Sequence, residues 1–146
     1  MVVKQKLVIG RADIIDLPEF GVEGIHAKVD TGAYTSAIHC SKIRVVHEEG
    51  KSFVTFHIPY AKLGAVGKRA FKTDNYSQKN IKSSSGHIEK RFVIKTKIQL
   101  FNKTFKTEFS LTDRSKMKYP ILLGRKLLNN RFIVDVSSIN LSTKKK

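Results

Sequence analysis

Two runs of β-branched and aromatic residues, "SAIHCSKIRVVH" and "KSFVTFHIPY", are separated by little more than the acidic, Gly-ended "EEG". A turn this short between two strand-forming runs leaves room for one arrangement, a β-hairpin. The pattern recurs in "HIEKRFVIKTKIQLFNKTFKTEFSLTD", where two strands are expected around a turn at "FN". There Phe105, Thr107 and Phe109 alternate with Lys106 and Glu108, the period-2 signature of a strand with one wet face.

The remaining segments extend the pattern. "KLVIG" opens a first strand, and "IIDLPEFGVEGIHAKVD" places a turn at Pro18 and Gly21 between two more. Residues 61 to 87 are rich in Gly, Ser, Lys and Asn with weak periodicity, and are expected to be irregular. Towards the end, "ILL" is a short buried strand closed by Gly124, "RKLLNN" about two turns of helix stopped by the Asn pair, and "FIVDV" a last strand. The expected fold is mainly β with one short C-terminal helix. At 146 residues it forms one domain over 1–146, with a loop region at 61–90 and a flexible basic tail at 142–146.

The net charge of +16 is the unusual bulk property. Such a surplus serves solubility and also attracts anionic partners of any kind. A lone cysteine, Cys40, excludes an intramolecular disulfide and fits a reducing compartment. "MVVKQKLVIG" is no secretory signal, since Lys4 and Lys6 interrupt its apolar run, and no window reaches the ~20 apolar residues of a membrane helix. A cytoplasmic location without membrane association is expected.

Two segments invite a chemical reading. In "HAKVDTGAYTSAIHC", Asp30 ends a strand and is followed by Thr31, Gly32 and Ala33. Asp-Thr-Gly is a common turn composition; equally, Gly32 lets backbone approach a ligand, Thr31 locks the loop and Ala33 leaves space beside the carboxylate. In "YPILLGRKLL", Leu122, Leu123, Gly124 and Arg125 read as a core strand entering a core helix.

Taken together, an apolar strand, Asp-Thr-Gly, a Gly-containing hairpin and apolar-apolar-Gly-Arg resemble the retropepsin-like aspartic proteases, from about Val8 to Val136. "AKVDTGAYTSAIH", "SSSGHIEKRFVI" and "YPILLGR" are similar to a bacterial branch described as ATP-dependent zinc proteases, which neighbour or fuse with RimK-type glutamate ligases. The resemblance implies a closed β-barrel equal to half of an acid protease. It makes Asp30 the catalytic carboxylate, Thr31 the brace across a subunit interface, and Gly32 the point of close substrate approach. Ala33 and the flap residues Ser84, Ser85, Gly86 and His87 would contact substrate. Leu122, Leu123 and Gly124 would support the active loop, with Arg125 opening the helix. Retroviral members carry a second Asp two residues after the Gly, paired with the helix Arg; Tyr34 stands there, so Arg125 is expected to lack that partner.

Aspartic proteolysis uses two carboxylates sharing one proton. One Asp-Thr-Gly per chain therefore implies a homodimer, with the second carboxylate supplied by a second copy. The five histidines, His26, His39, His47, His57 and His87, form no His-Glu-x-x-His, and His39 and Cys40 point to opposite faces of a strand, so no metal site is expected. Without a Walker-type glycine loop no ATP or other cofactor is expected. The expected function is an aspartic endopeptidase acting on acidic or glutamylated peptides, with a glutamate ligase as a candidate partner. The alternative is a basic, non-enzymatic module regulating a ligase or binding the ribosome, in which Lys68, Arg69, Lys72, Lys79, Lys82, Lys90 and Arg91 would meet phosphate. Nucleic acid is the less favoured partner, because no aromatic stacking motif accompanies these charges.

Overall fold

The computed structural model describes residues 5–58, 70–82, 85–113 and 118–144. Ten strands occur among them: β1 (Leu7–Leu17), β2 (Val22–Val29), β3 (Ser36–Glu48), β4 (Lys51–His57), β5 (Ala70–Thr73), β6 (Tyr76–Lys82), β7 (Ile88–Leu100), β8 (Lys103–Asp113), β9 (Ile121–Leu123) and β10 (Phe132–Ile139). Two single-turn helices, α1 (Arg125–Leu128) and α2 (Leu141–Lys144), complete the fold.

Both hairpins read from the sequence form, and for the physical reason that selects short turns. Glu49 and Gly50 have φ of 50° and 78°, and Phe101 and Asn102 have φ of 56° and 58°. Two successive left-handed residues match the right-handed twist of the flanking strands, so each loop needs only two residues. Between β1 and β2, Pro18–Phe20 make a 3-10 turn that ends when the Gly21 N–H donates to the Pro18 carbonyl at 3.2 Å.

Strands β1, β2, β9, β3, β8 and β7 are joined in that order, and β7 returns to β1 where Asp16 faces Gln99. This closes a six-stranded barrel and removes most free edges. Ile9, Ile15, Ile25, Ile38, Ile98, Phe109, Ile121 and Leu123 are almost wholly buried in one continuous core. Phe20, Phe56 and Phe71 pack edge-to-face and tilted beside it, with centroids 5.6–6.0 Å apart. The mainly β, closed-barrel expectation holds.

Three local expectations change. The stretch 61–87 is not irregular throughout, since 70–73 and 76–82 are strands; residues 61–69, 83 and 84 lie outside the described residues. β6 pairs with β7 from Tyr76↔Ile94 to Lys82↔Ile88, yet nearly all of its residues face water. A strand with two wet faces has no hydrophobic alternation to announce it. Helix α1 makes one turn rather than two, because Asn129 leaves helical geometry and Asn130 turns left-handed at φ 65°. The basic tail begins as α2, whose Ser142 N–H and hydroxyl both donate to the fully buried carboxylate of Asp13.

Candidate functional site

Strand β9 lies between β2 and β3, parallel to the first (Val29↔Leu123) and antiparallel to the second (Ala37↔Leu122). The chain leaving β2 must therefore cross the end of β9 before it can enter β3. Residues 30–35, containing Asp-Thr-Gly, are that crossing.

Every step of the crossing is tied down. The Asp30 N–H donates to the Leu123 carbonyl at 2.9 Å, extending the β2–β9 ladder by one bond. Asp30 Oδ1 accepts the Gly32 N–H at 2.9 Å, and the Ala33 N–H closes on the Asp30 carbonyl at 3.3 Å. The far side is fixed by the chain leaving β9. The N–H groups of Arg125 and Lys126 donate to the carbonyls of Ala33 and Tyr34, both at 2.9 Å, and the buried Ser36 hydroxyl accepts the Gly124 N–H at 2.9 Å. These bonds use most of the otherwise unsatisfied N–H groups at the start of α1. A side chain at Gly124 would place Cβ 2.7 Å from the Tyr34 carbonyl oxygen, so only Gly allows the two segments to touch.

Asp30 is consequently half-buried on a backbone that its neighbours determine, with Thr31 and Gly32 exposed beside it. The Thr31 carbonyl accepts Nη1 of Arg125 at 2.9 Å, and the guanidinium also lies 5.9 Å from the centre of the Tyr34 ring. Arg125 thus makes other contacts in place of the second loop carboxylate. An aromatic ring and a backbone carbonyl stand in for the carboxylate. Thr31, Tyr34 and Arg125 line a cavity of about 470 Å³ whose other walls include Leu128, Asn129 and Phe132.

The structure unites Asp30, Thr31, Gly32 and Ala33 with Leu122–Arg125 in this one bonded unit. Leu123 is buried beneath the loop and Leu122 is half-buried. Ser85, Gly86 and His87 belong to a different element, the exposed end of the β6–β7 hairpin; Ser84 lies outside the described residues. Ser36 went unnoticed in the sequence, where nothing distinguishes a structural hydroxyl six residues after Asp30. Among the described residues no three His, Cys, Asp or Glu side chains gather in one place. His39 and Cys40 are both buried, since both faces of β3 are covered there, and burial pushes the Cys40 thiol up to about 12. No helix is long and apolar enough to cross a membrane.

Residues 8–145 match the RimB-like family, described as "Retropepsin-like aspartic endopeptidase RimB". The chain is 40% identical over 133 residues to a probable alpha-L-glutamate ligase of Shewanella halifaxensis, and 34% identical over 130 residues to one of Desulfotalea psychrophila. These alignments cover 90% and 89% of this chain but only 29% and 28% of the relatives, so it spans under a third of their length. A crystal structure of a Legionella pneumophila protein of unknown function superposes with a TM-score of 0.74 at 24% identity, covering 94% of this chain and 99% of that one.

Proposed function

Because the chain belongs to the RimB-like family of retropepsin-like aspartic endopeptidases, we propose that it is a peptidase whose active centre forms when the Asp30 loops of two copies meet. The observation that carries this reading is the bonding of Asp30 itself. Its backbone and one carboxylate oxygen are fixed by Leu123 and Gly32, while the flanking Thr31 and Gly32 stay exposed. The bond to Gly32 is one that an ordinary turn Asp also makes; what suits a carboxylate that must face a twin is that the N–H groups of Arg125 and Lys126 also clamp its loop at Ala33 and Tyr34.

In the dyad one carboxylate takes a proton from water as the hydroxide adds to the peptide carbonyl, while the other gives its proton to the carbonyl oxygen. Collapse of the tetrahedral intermediate breaks the C–N bond, with a proton passing to the departing amine.

Pairing of copies is supported by β10. Among the described residues it is bonded along one edge only, to β1, and with Val8 it presents Ile133 and Val136, which are 56% and 73% exposed. An apolar strand with a free edge is a ready site for strand addition by a second copy. Acidic substrates are supported by charge. Besides the +16 total, β2 alternation carried one step past its end puts exposed Lys28 on the side of Asp30. A Glu-rich chain made by a ligase of the kind named among the relatives fits these cations, and the ligase is a natural partner.

The test combines sedimentation equilibrium with cleavage of a Glu-rich peptide by wild type and Asp30→Asn. A dimer whose cleavage is abolished by the substitution is expected. A protein that stays monomeric, or cleavage that survives Asp30→Asn, sinks the proposal.

A further inference from the structure

A second cavity, of about 500 Å³, lies on the other side of α1 from the one at Thr31 and Tyr34. Thr96 and Thr107, buried and paired across β7 and β8, contribute to it from the inner side of the sheet with Ser36 and Leu127, while Lys95, Lys97 and Lys106 leave the same strands from the opposite, wet face. Five cations stand around it: Lys95, Lys97, Lys106, Lys126 and Arg131.

The two acids in this cavity are already engaged. Glu19 accepts a hydrogen bond from the Thr96 hydroxyl at 2.7 Å. Glu108 pairs with Lys126 and, at 2.8 Å, with Lys79, and these two lysines hold its carboxyl down to about 2. No ion pair reaches Lys95, Lys97 or Lys106 among the described residues. Lys97 and Lys106 sit directly opposite each other in the ladder, a like-charge placement that costs stability in the free protein. Arg131 is held in place, with Nη1 donating to the Leu127 carbonyl at 2.9 Å and its guanidinium 5.9 Å from the Phe105 ring.

We infer that this groove is an exosite that holds a carboxylate-rich peptide segment outside the cleavage site. Lys95 and Lys97 point the same way two residues apart on a strand, about 7 Å. That is also the spacing of alternate side chains along an extended peptide, so successive same-side carboxylates can each meet a cation. The groove adjoins the Asp30 crossing, because Lys126, one of its walls, bonds through its backbone to Tyr34. Ammonium and guanidinium groups alone would also take phosphate; the same-side alternation of Lys95 and Lys97 is what matches an extended peptide.

The inference deepens the peptidase reading and rests on it for its role, though not for its measurement. The probe is a fluorescein-labelled oligoglutamate of about ten residues, titrated by anisotropy against the full-length Asp30→Asn protein so that none is cleaved. Reversing the facing pair in that background, Lys97→Glu with Lys106→Glu, is expected to weaken binding at least about tenfold. Lys42→Glu with Arg44→Glu, an equal charge change on residues that do not line the groove, is expected to weaken it by less than about threefold. A Lys97→Gln and Lys106→Gln protein, checked by thermal melting, should show a smaller loss in the same direction. Equal losses for the two reversed proteins would mean a diffuse field and overturn the exosite, as would no loss at all or no binding by the parent. Oligoglutamate binding that depends on Lys97 and Lys106, together with a wild-type protein that cleaves no Glu-rich peptide, would sink the peptidase and leave the groove standing.

Discussion

The Arg125 guanidinium lies over the Tyr34 ring, 5.9 Å from its centre, and donates to the Thr31 carbonyl at 2.9 Å. One side chain therefore grips the Asp-Thr-Gly crossing at two points, through a ring and through the backbone next to Asp30. The grip uses the planarity of the guanidinium, which stacks and bonds at once.

Loss of that grip should loosen the loop without dissolving the barrel. Arg125→Ala is expected to cost about 1–2 kcal/mol, the sum of one hydrogen bond and a partly exposed cation–π contact. Arg125→Lys should melt near wild type but turn over substrate more slowly, since an ammonium cannot do both jobs. Denaturant melts paired with peptide cleavage check this; equal rates for Arg125→Lys and wild type would refute the positioning role.

Gly124 should tolerate no side chain. The Cβ of Gly124→Ala would meet the Tyr34 carbonyl oxygen at 2.7 Å and the Thr35 carbonyl carbon at 2.8 Å. Both are backbone atoms in bonded positions, so neither can swing aside. A loss of about 1–3 kcal/mol is expected, readable as a lower urea midpoint, with cleavage falling further because the displaced segment carries Asp30. An unchanged midpoint would show that the crossing is looser than its bonds indicate.

Glu108 should leave a signature in acid. Its carboxyl is held at about 2, against an ordinary 4.5, by hydrogen bonds from Lys126 and Lys79. A carboxyl depressed by folding adds stability above its unfolded value and surrenders it as pH falls through its folded one. The stability gap between wild type and Glu108→Gln should therefore be full at pH 6 and close between about pH 4.5 and 2. Urea midpoints across that range measure it, and a gap independent of pH would remove the claim.

Cys40 should be chemically silent while the protein is folded. The thiol is fully buried, and desolvation pushes it up to about 12. Thiolate is the reactive form, so an aromatic disulfide reagent at pH 8 should label native protein at least about 100-fold more slowly than urea-unfolded protein. Rapid native labelling would mean that β3 opens readily next to β8.

Local chemistry was enough to foresee much of this molecule. The two-residue turns at Glu49–Gly50 and Phe101–Asn102, the alternation along β8 and the stop at Asn129–Asn130 each follow from residues a few positions apart. Asp-Thr-Gly and Ile-Leu-Leu-Gly-Arg were visible as separate segments for the same reason. Their union was expected only through the family resemblance, because it depends on β9 inserting between β2 and β3, a register set by strands ~90 residues apart. The partner of Arg125, the buried hydroxyl of Ser36, the exposed strand β6 and the cations gathered beside Thr96 and Thr107 all follow from that closure. Periodicity reports which face of a strand is dry. Only the closed barrel decides which faces meet.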